Sequence, residues 1–98
     1  VLHWHELDDF LADGGILLDV RTPPEVENGK IDGSLHIPLD ELRERLAELP
    51  KDKTIGVICG VGLRAYLACR ILMENGFRAK NLDGGYTLYS YVKDRRSP

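Results

Sequence analysis

The sequence predicts an α/β fold, with a central parallel sheet of four or five strands and helices on both faces of the sheet. Two observations lead to this prediction. Short apolar runs alternate with segments of helical spacing along the whole 98-residue chain, and this alternation is typical of a parallel sheet with helical crossovers. Turn residues or prolines also separate one segment from the next. The strands are expected at residues 1–4, 16–20, 35–37, 54–58 and 79–82.

The first half of the chain predicts one clear helix and one break. Residues 6–12 carry apolar side chains at helical spacing, and Gly14 and Gly15 are expected to end this helix. After the next strand, the Thr-Pro-Pro run at 22–24 is expected to interrupt regular structure, because proline lacks a backbone N–H. At most a short helical turn is then expected at residues 25–28.

Three further helices are expected in the rest of the chain. The first has one apolar face and is expected to end at Pro50. Its face is formed by Leu39, Leu42, Leu46 and Leu49. The second covers residues 65–73, and Gly76 is expected to cap its C-terminus. The third follows the last strand, at residues 86–92.

Length and charge limit the kinds of function that the chain can have. Ninety-eight residues are enough for a core without metal or disulfide support, so a single domain over residues 1–98 is expected. The net charge of −3, with both signs mixed and no basic patch, argues against nucleic acid as a partner. The longest apolar runs are too short to cross a membrane, and no signal peptide is recognised. A start at Val1 rather than Met indicates a trimmed start or one domain of a longer protein.

The two cysteines, Cys59 and Cys69, do not form the pattern of a disulfide framework, so a reduced, cytoplasmic setting is expected. No Cys–His cluster has the spacing of metal ligands, and neither a metal nor a cofactor is expected. Cys69 lies at helical spacing within an apolar segment, which favours core packing over a role as a resolving thiol. His36 lies in an apolar strand and is expected to be a hydrogen-bonded core histidine.

The richest chemistry lies in the loop between the strand at 54–58 and the helix at 65–73. It consists of Cys59, Gly60, Val61, Gly62, Leu63 and Arg64. The loop joins the end of a strand to the start of a helix, where open α/β sheets place ligand sites. The two glycines let the backbone turn its N–H groups inward, and with the helix N-terminus these groups form a concavity that favours an anion. Since the thiolate is the reactive form of cysteine, Cys59 is predicted to be a nucleophile.

Other polar residues lie at strand ends and are expected beside this loop. Asp19 and Arg21 lie at the end of one strand, and Gly84 follows another. The carboxyl ends of neighbouring parallel strands meet at one edge of a sheet. Asp19, Arg21, Cys59, Arg64 and Gly84 are therefore expected on a common rim.

Two interpretations stay open for the charged residues of this rim. Asp19 and Arg21 act as an acid and a substrate clamp, or they bond to loop backbone and to Glu25 and hold the rim in shape, the second being favoured. Arg64 orients an anionic donor, or it pins the loop by pairing with a carboxylate. Arginine serves both purposes of Arg64 through the same forked geometry.

Four motifs in order resemble those of a rhodanese-like (sulfurtransferase) domain. They are Asp19–Val20–Arg21 with Glu25; Gly29–Lys30–Ile31–Asp32–Gly33–Ser34 with His36–Ile37–Pro38; the C-x-x-G-x-R loop from Cys59 to Arg64; and Leu82–Asp83–Gly84–Gly85. Lys30 stands where the family usually has histidine, and Asp32 where it often has proline. The resemblance implies that Cys59 accepts a sulfane sulfur as a persulfide and passes it to a thiol or another nucleophile.

The resemblance also implies roles and partners. Cys59 would be catalytic, the donor would be bound by Gly60, Val61, Gly62, Leu63 and Arg64, and Asp19, Arg21 and Glu25 would support them. Thiosulfate, a persulfide or a polysulfide would be the donor and a thiol the acceptor, although thiosulfate, a dianion, would bind better with a second cation beside Arg64. Residues 83–91 resemble rhodanese domains fused behind flavin-dependent CoA-disulfide reductases, which implies fusion to a flavoprotein reductase and CoA persulfide as a substrate.

Two other functions remain as alternatives. The related Cys-loop phosphatases and arsenate reductases use C-x5-R, whereas four residues separate Cys59 from Arg64 here. The shorter ring of N–H groups suits one sulfur atom and crowds a tetrahedral oxyanion. A non-catalytic binding or regulatory module is the other alternative, in which Cys59 would be only a small buried side chain. Core packing alone, however, does not require two glycines and an arginine at this place.

Overall fold

The structure is a computed structural model that describes residues 1–60, 63–82 and 85–87. Its centre is one parallel sheet with the strand order β2-β1-β3-β4. The strands are β1 (Ile16–Asp19), β2 (Leu35–His36), β3 (Thr54–Ile58) and β4 (Arg78–Asn81). The prediction of a parallel sheet is confirmed with four strands. The strand expected at residues 1–4 is wrong, since only Leu2 pairs there, through an isolated bridge to Leu82.

Three α-helices lie entirely within the described residues, and none of them is long and apolar enough to cross a bilayer. They are α1 (Leu7–Ala12), α2 (Pro23–Glu27) and α3 (Leu63–Glu74). The predictions for α1 and α3 are confirmed. The glycines that follow their C-termini have left-handed backbone conformations, with φ 91° at Gly14 and 87° at Gly76. Residues 85–87 are helical as well, while residues 88–92 of the last expected helix lie outside the described residues.

Pro23 and Pro24 are the first two residues of α2 instead of preventing a helix, so the expected break at 22–24 is wrong. Thr22 is the N-cap, with an extended backbone, and Pro23 follows at the first helical position. Proline is tolerated there because the first N–H groups of a helix have no partner inside the helix. Glu25 accepts hydrogen bonds from the backbone N–H and the hydroxyl of Thr22, at 3.1 and 3.0 Å, which closes the first turn.

The leucine-rich segment after β2 is not the single α-helix that the spacing predicts. It forms two 3-10 helices, Leu39–Glu44 and Leu46–Glu48, with Arg45 between them at φ −115°. A 3-10 helix has three residues per turn, so it brings side chains three apart to one side. The leucine spacing is three, four and three, and the extra residue falls at the break. The apolar face is therefore kept, with Leu42 and Leu49 buried.

The core has two layers, one on each face of the sheet, and neighbouring strand residues alternate between them. The layer beneath α3 contains Leu18, Val20, Ile55, Val57, Ala65, Ala68, Cys69 and Leu72. The opposite layer contains Leu2, Leu7, Leu17, Ile31, Ile58 and Leu82, against which Phe10 and Tyr86 pack. Helices on both faces are thus confirmed, and Cys69 lies in the core as expected.

Replacing Leu72 by alanine tests the layer beneath α3. Leu72 is fully buried, so Leu72→Ala should lower the free energy of unfolding by about 2–5 kcal/mol, measured by urea denaturation. Met73→Ala is the matched control, because the neighbouring Met73 side chain is 55% exposed. A loss of equal size in both variants would contradict the assignment of this layer as the core.

Candidate active site

Cys59 is placed by the sheet itself. It follows β3 directly, at the edge where Ile58 lies in register with Asp19 of the neighbouring strand. Its side chain is almost fully buried, at 1% exposure. Gly60 comes next and α3 begins at Leu63, whose side chain is exposed. Val61 and Gly62 lie outside the described residues, so the donor-binding roles expected for them stay predictions.

Residues 85–87 hold the backbone of this loop. The Cys59 carbonyl accepts a hydrogen bond of 2.7 Å from the N–H of Tyr86, and the Gly60 carbonyl accepts one of 3.0 Å from Thr87. Gly85 has φ 60°, and a Cβ at this position would collide with the Cys59 carbonyl oxygen. The turn therefore requires glycine at position 85. The sequence motif at 82–85 contains this glycine but does not indicate its role, and Gly84 lies outside the described residues.

Arg64 and Glu25 form a bidentate ion pair beside Cys59. Nη1 of Arg64 donates to Oε1 of Glu25 at 2.6 Å, and Nη2 donates to Oε2 at 2.8 Å. Gly60 lies against this pair, since a Cβ there would be 3.1 Å from Nη2 of Arg64. Of the two interpretations of Arg64, pairing with a carboxylate is present in the structure. The expectation that Glu25 bonds to Asp19 and Arg21 is replaced by this pairing.

The Glu25 carboxyl group is held in its ionised form. Hydrogen bonds from Arg64 are the largest cause, followed by those from Thr22, and together they lower the pKa of Glu25 to about 2. In the reverse direction, the Glu25 carboxylate raises the pKa of Arg64, and the thiolate of Cys59 and the carboxylate of Asp19 add to this effect. Arg64 is therefore within electrostatic reach of the thiol.

Asp19 and Arg21 form a second, deeply buried pair, with exposures of 1% and 4%. Nε of Arg21 lies 3.0 and 3.1 Å from the two Asp19 carboxylate oxygens, and Nη2 donates to Oδ2 at 2.8 Å. The backbone N–H of Arg21 donates to Oδ1 of the same carboxylate at 3.0 Å. The Asp19 carboxylate thus accepts all of these hydrogen bonds from a residue only two positions along the chain.

Arg21 also joins three separate parts of the rim. Its Nη2 donates to the Gly29 carbonyl at 2.7 Å, and its guanidinium lies 4.1 Å from the centre of the Tyr86 ring. Its own carbonyl accepts a hydrogen bond of 2.7 Å from Nε2 of His36, which must carry the proton because a carbonyl oxygen only accepts. These contacts support the interpretation in which Asp19 and Arg21 hold the rim in shape. His36 has the hydrogen bond expected of it, although it is only partly buried.

The second thiol, Cys69, lies in α3 and belongs to the same buried cluster as Cys59. Cys69 packs in the layer beneath α3, and burial raises its pKa to about 11. At neutral pH it is therefore a neutral thiol with little nucleophilic character. Among the residues that the structure describes, no group of three or more His, Cys, Asp or Glu side chains could hold a metal ion.

The Glu25–Arg64 pair makes stability depend on pH in one direction. A carboxyl group with a lowered pKa stabilises the fold above its ordinary pKa of 4.5, and this contribution is lost as the pH falls towards 2. The two side chains are about a third exposed, so solvent screening reduces the contribution to about 1 kcal/mol. We expect the difference in unfolding free energy between the wild type and Glu25→Gln to shrink over this pH range.

Denaturation at a series of pH values measures this difference. Glu27→Gln is the matched control, since Glu27 is exposed on the same helix and its difference from the wild type should not vary over that range. A Glu25→Gln difference that stays constant with pH would contradict the pairing.

Comparison with known proteins assigns the family. The model of the rhodanese-like domain family matches residues 3–91. The chain is 41% identical over 71 residues to a protein of Allochromatium vinosum named sulfurtransferase; the match covers 71% of this chain and 66% of that protein. The chain thus spans about two thirds of this relative's length.

Two solved structures contain a similar fold within much longer chains. Reduced CoADR-RHD of Bacillus anthracis is 51% identical with a TM-score of 0.91, covering 98% of this chain and 17% of that one. An NAD-dependent persulfide reductase of A. fulgidus is 44% identical with a TM-score of 0.70, covering 81% of this chain and 14% of that one. Both resemblances stated from the sequence are confirmed by these matches. With the family model matching nearly its whole length, the chain belongs to the rhodanese-like domain family.

Proposed function

We propose that this domain is a sulfurtransferase that carries a sulfane sulfur as a persulfide on Cys59. The observation that carries the proposal is the position of Cys59, a buried thiol directly after β3 at the carboxyl edge of the sheet, within electrostatic reach of Arg64. Relatives named sulfurtransferase support this class of reaction. The donor-binding role proposed for Gly60, Leu63 and Arg64 follows from their place beside the thiol, and we extend it to Val61 and Gly62.

The transfer consists of two substitutions at sulfur. The Cys59 thiolate attacks the outer sulfur of the donor, a new S–S bond forms, and the donor's own S–S bond breaks with its electron pair on the leaving group. With thiosulfate the leaving group is sulfite; with a thiol persulfide it is the thiolate. An acceptor thiolate then attacks the outer sulfur of the Cys59 persulfide and restores the Cys59 thiolate. No net oxidation occurs and no general base is required, so Asp19 keeps its structural role.

The surroundings of Cys59 suit this cycle. The carbonyl groups of Cys59 and Gly60 are bound by residues 85–87, so the loop backbone is fixed before a donor arrives. Burial of the Cys59 thiol limits its contact with water and with dissolved oxidants. A reducing compartment such as the cytoplasm fits the cycle, because Cys59 must return to the thiolate after each transfer.

Fusion to a flavoprotein reductase is part of this proposal. In the two similar solved structures, the segment that matches this chain makes up only 17% and 14% of the solved chain. One of these proteins is named as a persulfide reductase. In such an arrangement the domain would exchange sulfur with a persulfide or polysulfide, CoA persulfide included, that the reductase site handles.

Loading of Cys59 tests the proposed function directly. Brief treatment with thiosulfate or a thiol persulfide should add one sulfur atom to Cys59, seen by intact mass and peptide mapping, and dithiothreitol or cyanide should remove it. Cys59→Ser should lose both the added mass and sulfur transfer to cyanide while keeping the fold. If no donor adds sulfur to Cys59, the domain is a binding or regulatory module instead.

Cys69→Ala provides the matched control for the other thiol. Because Cys69 is buried in the core, this variant should load and transfer sulfur like the wild type and lose about 1 kcal/mol of stability. A folded Cys69→Ala protein that loads sulfur but cannot release it to an acceptor would identify Cys69 as a resolving thiol.

Loop length gives a test against the phosphatase alternative. Four residues separate Cys59 from Arg64, so the unmodified domain should not hydrolyse aryl phosphates such as p-nitrophenyl phosphate. A variant with one residue inserted after Val61 should bind phosphate or arsenate more tightly than the wild type. Robust phosphatase activity of the wild type would contradict the size argument and favour the alternative.

A further inference from the structure

We propose that Glu25 selects the class of sulfur donor by neutralising Arg64, so that the site prefers singly charged donors, such as thiol persulfides, to the thiosulfate dianion. This inference rests on the proposed function of Cys59 and adds to it a residue that determines specificity. The inference concerns the net charge of Glu25 and Arg64 beside Cys59, and it leaves the reaction at sulfur unchanged.

The carboxylate of Glu25 compensates the positive charge of Arg64. Its Nη1 and Nη2 each donate to one oxygen of Glu25, at 2.6 and 2.8 Å, so the carboxylate faces the guanidinium with both oxygens. Gly60 allows this approach, since any side chain there would begin 3.1 Å from Nη2. Two of the five N–H donors of the guanidinium are used in this way, and the others can still bind a donor oxygen or sulfur.

Glu25 stays ionised under all ordinary conditions. Thr22 supports it with two more hydrogen bonds to Oε1, from its backbone N–H and its hydroxyl, and the pKa of Glu25 is about 2. The compensating charge is therefore present at neutral pH. The other guanidinium of the rim is compensated as well, because Arg21 is bound to Asp19.

Charge compensation affects donors according to their own charge. A bare guanidinium attracts a dianion about twice as strongly as a monoanion, whereas a neutral ion pair distinguishes the two only weakly. The thiolate of Cys59 repels a dianion more than a monoanion in either case. Removing the charge of Glu25 should therefore raise the preference for a dianionic donor about fivefold, as expected for one unit charge a few ångströms away.

Two donors of similar chemistry isolate the effect of charge. Thiosulfate carries two negative charges and releases sulfite, while methanethiosulfonate carries one and releases methanesulfinate. The ratio of their kcat/KM values, with cyanide as the common acceptor, should rise about fivefold in Glu25→Gln. Glu25→Asp keeps the charge and Glu27→Gln removes an exposed charge from the same helix, so both should keep the wild-type ratio within about twofold.

Salt dependence of the wild type provides a second measurement that needs no variant. With Arg64 compensated and a chain of net charge −3, kcat/KM for thiosulfate should stay flat or rise with added sodium chloride. A steep fall with salt is the behaviour of an uncompensated cation and would overturn the inference. It decides the question even if Glu25→Gln does not fold.

The outcomes separate this inference from the proposed function. If both donors load Cys59 and the ratio is unchanged or lower in folded Glu25→Gln, the role of Glu25 is refuted and the sulfurtransferase remains. If neither donor adds sulfur to Cys59 in the wild type, the proposed function fails and this inference fails with it. A raised ratio in Glu25→Gln, with both controls unchanged, establishes Glu25 as a determinant of donor class.

Discussion

The buried pair of Asp19 and Arg21 is the interaction on which the rest of the rim depends. Removing two charges from water costs several kcal/mol for each ion, and only excellent geometry and further hydrogen bonds offset this cost. Here the carboxylate accepts from Nε, Nη2 and the backbone N–H of Arg21, and the guanidinium reaches the Gly29 carbonyl and the Tyr86 ring. Loss of either partner would leave a buried charge without compensation, and three chain segments would lose their common contact.

The second pair, Glu25 with Arg64, has the same chemistry and a different setting. Both side chains are about a third exposed, so this pair contributes little to the free energy of unfolding. Its two charges nevertheless lie next to the loop that carries Cys59. One ion pair is thus a buried support of the rim, and the other is a partly exposed pair next to Gly60 in the loop after Cys59.

Much of the fold and the position of the thiol could be predicted from the sequence, because both depend on local pattern. Alternating apolar runs gave the parallel sheet, and the strand-to-helix loop gave Cys59 at its edge. The partner of Glu25 could not be predicted, since Arg64 lies 39 residues away and nothing local distinguishes it from Arg21. The two 3-10 helices could not be predicted, because leucines spaced three, four and three fit an α-helical face equally well. The proline pair at 23–24 predicts a break, but Thr22 before it is a recognisable N-cap and α2 begins at Pro23.

Because residues 85–87 anchor the backbone at Cys59, the site forms only late in folding. The loop carbonyls are held by N–H groups more than twenty-five residues downstream, and Glu25 meets Arg64 across 39 residues of chain. Contacts of such long sequence separation form only when most of the chain is already ordered, because closing long loops costs entropy before any contact repays it. A chain that ends before residue 85 lacks the backbone groups that hold Cys59 in place. During synthesis the loop around Cys59 can therefore be anchored only after Tyr86 and Thr87, which follow β4, have been made.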